Sequence, residues 1–293
     1  MPLSQQPDPM TSDGPTSVRS DRVGAVRRLA NRSFRQKVGR FLAEGPQSVR
    51  EAVRCQPHSI DEVFVIEDAG PAVQKIVSLA HEVGVRVTSV PEPVLLAMTE
   101  TVHPQGIAAV CSFLPEPVPA ELLASARLVV ALHEVRDPGN AGTILRTADA
   151  AGADGVIFVG DSVDPYNGKC VRSTAGSLFH VPFTRCADLA ELAGLAAGAL
   201  QVWAASGDAA DELSGLGEQG LLAQPTLWLF GNEAHGLPPD TPADRRVAIP
   251  IFGNAESLNL SAAAAVCLYA SAFAQRVADA GPISPRPGGP TTA

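Results

Sequence analysis

The chain has 293 residues, 45% of them hydrophobic and 18% charged, with a net charge of −9. Such a composition excludes a disordered chain and suits two domains of ordinary size. No apolar run reaches the length a membrane span needs, and residues 1–10 lack a signal-peptide core.

Five cysteines, at 55, 111, 170, 186 and 267, form no CxxC pair and no metal-ligand spacing. They predict free thiols, a reducing cytoplasm and no metal site.

Residues 1–20 are rich in Pro, Ser, Asp and Thr without periodicity and predict a disordered tail; residues 279–293 predict another. A basic helix is expected over 23–31, then a strand over 40–44. Gly45-Pro46 opens a helix, because Pro suits a first turn. Strand 62–66, helix 71–83, strand 85–90, helix 92–98 and strand 107–113 follow. Residues 21–113 thus read as a small α/β sandwich. The proline-spaced stretch 114–125 reads as a stiff linker.

Between residues 21 and 54 stand nine Arg or Lys against three acids, so this stretch carries +6 and the remainder −15. A local basic face can bind phosphate on an acidic protein, because screening limits charge to a reach of roughly 8–10 Å. Asn31, Arg32, Arg35 and Lys37 are the candidate RNA-binding residues. The bland alternative is a solvated, Arg-rich helix.

Residues 126–278 read as a second α/β domain. Leu128-Val129-Val130-Ala131-Leu132 is a near-continuous apolar strand, as in a parallel sheet covered on both faces. A helix and the strand 155–160 complete a βαβ unit. Strands at 201–205, 226–230 and 247–251 and a helix over 261–275 are expected after it.

Three polar clusters end predicted strands, where open α/β sheets bind ligands. They are Arg136-Asp137-Pro138-Gly139-Asn140-Ala141-Gly142 with Arg146, Gly231-Asn232-Glu233-Ala234-His235-Gly236-Leu237, and IFGNAESLNLS from 251 to 261. Singly, each has a bland reading: Asn140 as a cap, Arg146 at the surface, Glu233 as a solvated carboxylate. Three inert clusters together are a poorer account. A dinucleotide site fails in detail, because G-x-G-x-x-G is absent and no acid closes the second strand.

DPGNAGTILRTADAAGADGVIFVG, LFGNEAHGL and VAIPIFGNAESLNLSAAAAVCLYA resemble the three signature motifs of the SpoU/TrmH family of ribose 2'-O-methyltransferases, within the SPOUT superfamily. Residues 22–113 are similar in layout to the ribosomal-protein-like RNA-binding domain found ahead of it in thiostrepton-resistance and related rRNA methyltransferases. The resemblance implies a parallel-sheet α/β domain with a deep trefoil knot, a homodimer, S-adenosylmethionine as cofactor and RNA as substrate, rRNA before tRNA. It implies catalytic roles for Asn140, Arg146, Glu233, Ser257 and Asn259, and cofactor contacts at Gly231, Ile249 and Leu258. A non-catalytic RNA-binding or assembly protein on the same fold is the alternative.

Arginine is a poor base, since a guanidinium holds no lone pair to accept a proton. The resemblance implies that Arg146 assists deprotonation of the hydroxyl; the alternative its chemistry favours is to clamp a phosphate and stabilise developing alkoxide charge. Asn259 is expected to be functional and not a simple helix cap, because Ser257 lies where capping would fall and Asn is a poor residue inside a helix.

Overall fold

A computed structural model describes residues 14–279. The predicted tail over 279–293 lies outside them beyond Asp279, as does the part of the N-terminal tail before residue 14. The described residues form two compact units.

The first unit holds residues 14–117, Val135–Asp149 and Ser162–Pro182. Its sheet has strands β1 (Arg40–Glu44), β2 (Ile60–Ile66), β3 (Val87–Val90) and β4 (Ile107–Ser112), in the order β1-β4-β2-β3. β4 runs antiparallel to both neighbours, and β2 and β3 are parallel. Val23, Val26 and Leu29 pack with Leu42, Phe64, Leu95 and Met98 in one apolar core. Gly45, at φ 89°, turns the chain from β1 into helix Pro46–Cys55, with Pro46 in the first turn. The left-handed backbone there favours glycine.

One expectation needs revision here. The basic segment is not one helix: Asp21–Arg27 runs into a 3-10 turn, and a separate helix spans Arg32–Val38. The stretch expected as a stiff linker, 114–125, holds one short helix. Leu114 is buried, and its N–H donates to Tyr166 Oη at 2.9 Å. Pro119–Ala124 is helical.

The second unit holds Val118–Glu134, Ala150–Asp161 and residues 183–279. Its seven strands are β5 (Leu128–His133), β6 (Gly155–Val159), β7 (Phe183–Cys186), β8 (Gln201–Ala205), β9 (Asp211–Glu212), β10 (Thr226–Phe230) and β11 (Arg245–Ala248). Their order is β7-β6-β5-β10-β8-β11-β9, and every pairing is parallel. Every residue of β6 and β10 is buried, as two covered faces require. β11 ends at Ala248, three residues short of the predicted strand end. Pro250 has no N–H to continue a ladder.

Helix Leu260–Ala278 packs against β10 and β5. Trp228 Nε1 donates to Ser271 Oγ at 2.9 Å, and Gln275 Nε2 donates to the Arg127 and Gln224 carbonyls, each at 2.9 Å. Contrary to expectation, this helix is long and apolar enough to cross a membrane, with a mean hydropathy of 1.3 over its best 18 residues. Its buried face is that of a core helix: Ala264, Cys267, Leu268, Ser271, Ala272 and Gln275.

Candidate active site

β5, β10 and β11 run parallel in one sheet, so their C-terminal ends share an edge of the second unit. The second and third polar clusters follow β10 and β11 directly.

Behind β10 the chain doubles back tightly. Asn232 N–H donates to the Gly236 carbonyl at 3.2 Å, and Gly236 N–H donates to the Asn232 carbonyl at 2.8 Å. The Asn232 side chain closes the loop: Oδ1 accepts from Ala234 N–H at 2.9 Å and His235 N–H at 3.3 Å, while Nδ2 donates to the Glu134 carbonyl at 2.9 Å. Gly231 is buried beneath. A Cβ there would lie 2.6 Å from Leu237 N and closer still to the Gly236 carbonyl, so only glycine fits. Glu233 is exposed in this loop. The organising role of Asn232 was legible only as a turn signal, an Asn bonding its own backbone two residues on.

Behind β11, Ile249 is half-buried, and residues 251–259 have no helix or strand. Ser257 and Leu258 are exposed there. Asn259 corrects an expectation: it is the N-cap of the last helix. Its Oδ1 accepts from Ser261 N–H at 2.9 Å and Ala262 N–H at 3.4 Å. The helix starts at Leu260, so Asn259 stands before it and not within it. Asn259→Ala is therefore expected to cost about 0.5–2 kcal/mol. Chemical denaturation followed by circular dichroism measures this; an unchanged midpoint would mean the cap contributes nothing.

A cleft of about 930 Å³ opens in the second unit, lined by Ser206, Asp208, Asp211, His235, Gly236, Leu237, Arg245 and Arg246 among others. Its size falls in the range of about 300–1,000 Å³ typical of small-molecule sites. A hydrogen bond from Ser206 Oγ holds the Asp208 carboxyl below its usual range. Arg245 Nη1 donates to Asp211 Oδ2 at 3.0 Å. Carboxylates, an arginine-rich rim and main-chain groups of the second motif fit a cofactor bearing an ammonium, a sulfonium and a carboxylate. Gly231, Ile249 and Leu258 do not line this cleft. The loop after β8 does, and its small residues and single Asp gave no signal before the strand order was known.

Helix Pro138–Ala151 carries Asn140 and Arg146 on the part that belongs to the first unit, which ends at Asp149. Asp137 caps it: Oδ1 accepts from Asn140 N–H at 2.8 Å, and Oδ2 accepts from Lys169 Nζ at 2.8 Å. The Lys169 bond holds the Asp137 carboxyl below its usual range. Gly142 lets this helix meet helix Gly168–Ser173, since a Cβ would lie 2.6 Å from Ser173 Cβ. Arg146 is exposed, with no hydrogen bond or ion pair among the described residues. Asn140 and Arg146, six positions apart on this helix, lie on different faces of it.

The expected RNA-binding set divides. Arg32 and Lys37 are exposed. Asn31 is the N-cap of helix Arg32–Val38, accepting from Ser33 N–H at 2.9 Å. Arg35 is corrected outright: it is 1% exposed, and its Nη2 donates to Asp164 Oδ2 at 2.7 Å, so it cannot contact a phosphate.

Known proteins match this chain along most of its length. The SpoU rRNA Methylase family matches residues 127–269, and the RNA 2'-O ribose methyltransferase substrate binding family matches 42–117. The 23S rRNA (guanosine(2553)-2'-O)-methyltransferase RlmP of Bacillus subtilis is 34% identical over 256 residues, covering 86% of this chain and 96% of that protein. The 23S rRNA (uridine(2479)-2'-O)-methyltransferase of Streptomyces viridochromogenes is 32% identical, covering 85% of this chain and 88% of that one. The crystal structure of the AdoMet-bound rRNA methyltransferase from Sinorhizobium meliloti shares a TM-score of 0.73 at 30% identity, covering 87% of this chain and 95% of that one. With both regions matched in order, the chain belongs to the SpoU rRNA methylase family and is an RNA 2'-O-methyltransferase.

Proposed function

We propose that the protein transfers the methyl group of S-adenosylmethionine to a ribose 2'-hydroxyl of 23S rRNA. The near full-length match to a relative named for that substrate carries this reading. Residues 21–113 bind the RNA and residues 126–278 carry the transfer, with 114–125 joining them.

When bound, S-adenosylmethionine supplies an already activated sulfonium methyl. The loops after β10 and β11 would hold it through backbone of Gly231, Ile249 and Leu258, while Asp208 and Asp211 line the separate cleft that Gly236 and Leu237 also border. The acceptor is the weak partner, so the chain's work is to place the hydroxyl and ease its proton away. Arg146 clamps the adjoining phosphate and steadies developing negative charge. Asn140, Ser257 and Asn259 hydrogen-bond the acceptor nucleotide, and Glu233 orders the loop that carries it. The cap bond that Asn259 makes pre-orders its side chain for this second task. Arg32 and Lys37 supply affinity by pairing with phosphates.

The enzyme works as a homodimer with a deep trefoil knot in its second domain, in the cytoplasm, where its unpaired thiols stay reduced. Helix Leu260–Ala278 supports the dimer. Its outer face exposes Val266, Tyr269, Phe273 and Val277 at helical spacing, an apolar stripe that suits a second copy. Tyr269→Glu with Phe273→Glu is expected to give a monomer in sedimentation equilibrium; a dimer that persists would place the interface elsewhere.

The substrate assignment is tested by incubating the enzyme with labelled S-adenosylmethionine and 23S rRNA or bulk tRNA, then mapping 2'-O-methyl sites. Methylation of one 23S nucleotide is expected. Transfer to tRNA alone would overturn the substrate, and cofactor binding without transfer to any RNA would overturn catalysis.

A further inference from the structure

Helix Pro46–Cys55 of the first unit ends with two potential metal ligands one turn apart, Glu51 and Cys55. At a spacing of four, both lie on one helix face. His180, which follows the 3-10 turn Ser177–Phe179, comes to the same face. One carboxylate oxygen, the Cys55 thiol sulfur and one ring nitrogen of His180 lie within 4.8 Å of one another. Zinc-type bond lengths, about 2.3 Å to sulfur and about 2.0–2.2 Å to nitrogen or oxygen, place donors roughly 3–4 Å apart, so small side-chain rotations close the set.

The surroundings are arranged as outer groups of a metal centre are. His180 Nε2 faces Glu51 Oε2 at 3.2 Å, and Nδ1 is bonded to Asp149 Oδ2 at 2.8 Å. A carboxylate on the far ring nitrogen fixes the imidazole so that the near nitrogen can ligate. Ser177 Oγ holds that same Asp149 oxygen at 2.8 Å. Arg50 Nε takes Glu51 Oε1 at 2.7 Å and leaves Oε2 toward the cluster. Gly176, at φ 100°, makes room for the stem: a Cβ there would lie 2.6 Å from Glu51 Cγ. Glu51 is buried, while Cys55 and His180 stand at the surface, open to an incoming ion.

We infer that Glu51, Cys55 and His180 form a binding site for a borderline divalent cation of the zinc and cobalt class, with Asp149 as its outer-sphere orienting group. A mixed sulfur, nitrogen and oxygen set selects such ions over magnesium or calcium, which prefer all-oxygen cages. The bound ion ties the end of helix Pro46–Cys55 to the turn at 177–180, and so stiffens the first unit. Cysteine spacing alone gave the expectation of no metal; Glu51, Cys55 and His180 stand 4 and 125 residues apart, and no spacing rule links them.

Cobalt titration of the full reduced chain tests this. Co2+ bound to a thiolate gives a near-ultraviolet charge-transfer band, and Cys55 is the exposed cysteine, the other four being buried. The band is expected to saturate at one equivalent and to be bleached by Zn2+. Cys55→Ser, a surface change that leaves the fold intact, is expected to abolish it, whereas Cys186→Ser leaves it unchanged. Asp149→Asn is expected to weaken Co2+ binding about 10- to 100-fold, the usual cost of losing an outer-sphere partner. Absence of a saturable band, or a band unchanged in Cys55→Ser, overturns the site. Methyl transfer is not the readout, so the outcome is separate from that of the methyltransferase assays.

Discussion

Arg146→Ala is expected to slow methyl transfer about 100- to 10,000-fold, the range of a lost proton-transfer or charge-stabilising group, while cofactor affinity stays nearly unchanged. The buried neighbours Ile144 and Leu145 anchor the helix that carries it, and Arg146 itself is exposed without a partner among the described residues. Removing it therefore leaves no buried group unsatisfied, and the melting temperature should hold, as for surface changes generally. Arg146→Lys keeps the charge but loses the two-pronged grip on phosphate, and should recover only part of the rate. Single-turnover transfer of labelled methyl groups and calorimetric cofactor binding decide the matter together. More than about a tenth of the wild-type rate in Arg146→Ala would remove it from the mechanism.

Where a segment's own periodicity decided its fate, it could be read directly. Strands at 40–44, 201–205 and 226–230 and the helix at 92–98 stand where apolar runs and flanking turns place them. What escaped depends on partners far along the chain. Helix Arg32–Val38 hides because its buried member is an arginine, and hydrophobic periodicity does not mark Arg35 as interior. The partner that allows this burial, Asp164, lies 129 residues downstream. Short elements such as Gly168–Ser173 and Phe183–Cys186 offer too few positions for a period to show.

The site was legible in the same uneven way. Gly231 could be singled out as a residue type, but the reason only glycine fits there is the return of Gly236 and Leu237 over it. The cap at Asn259 was misplaced by counting from Ser257. That the loop after β8 lines the cleft follows from β8 lying between β10 and β11 in the sheet, an order that local sequence does not encode.

Arg35→Ala is expected to destabilise the first unit by about 3–5 kcal/mol, because removing one partner of a buried ion pair leaves an uncompensated charge. The side chains of Arg35 and Asp164 are 2% and 5% exposed. Arg35 Nε and Nη2 both donate to Asp164 Oδ2, at 3.1 and 2.7 Å, while Nη1 donates to the carbonyls of Leu29 at 2.8 Å and Ala30 at 2.9 Å. One guanidinium thus joins the 3-10 turn Arg28–Ala30 to the segment that carries Asp164. Alanine would strip Asp164 Oδ2 of both guanidinium donors and remove the donor to the Leu29 and Ala30 carbonyls, leaving Asp164 Oδ1 on Tyr166 N–H at 3.0 Å. Replacing both ionic partners by apolar residues should restore part of the loss, since the desolvated charge is then gone, although the two carbonyls still lack a donor. Burial likewise separates this residue from its basic neighbours. Arg32→Ala with Lys37→Ala should leave unfolding unchanged but reduce the slope of log RNA affinity against log salt by about 0.7–0.9 for each phosphate no longer neutralised. Arg35→Ala should lower the unfolding midpoint, and under conditions where the variant is folded its salt slope should match the wild type. A reduced slope with an unaltered midpoint would instead make Arg35 a phosphate ligand and its burial irrelevant to stability.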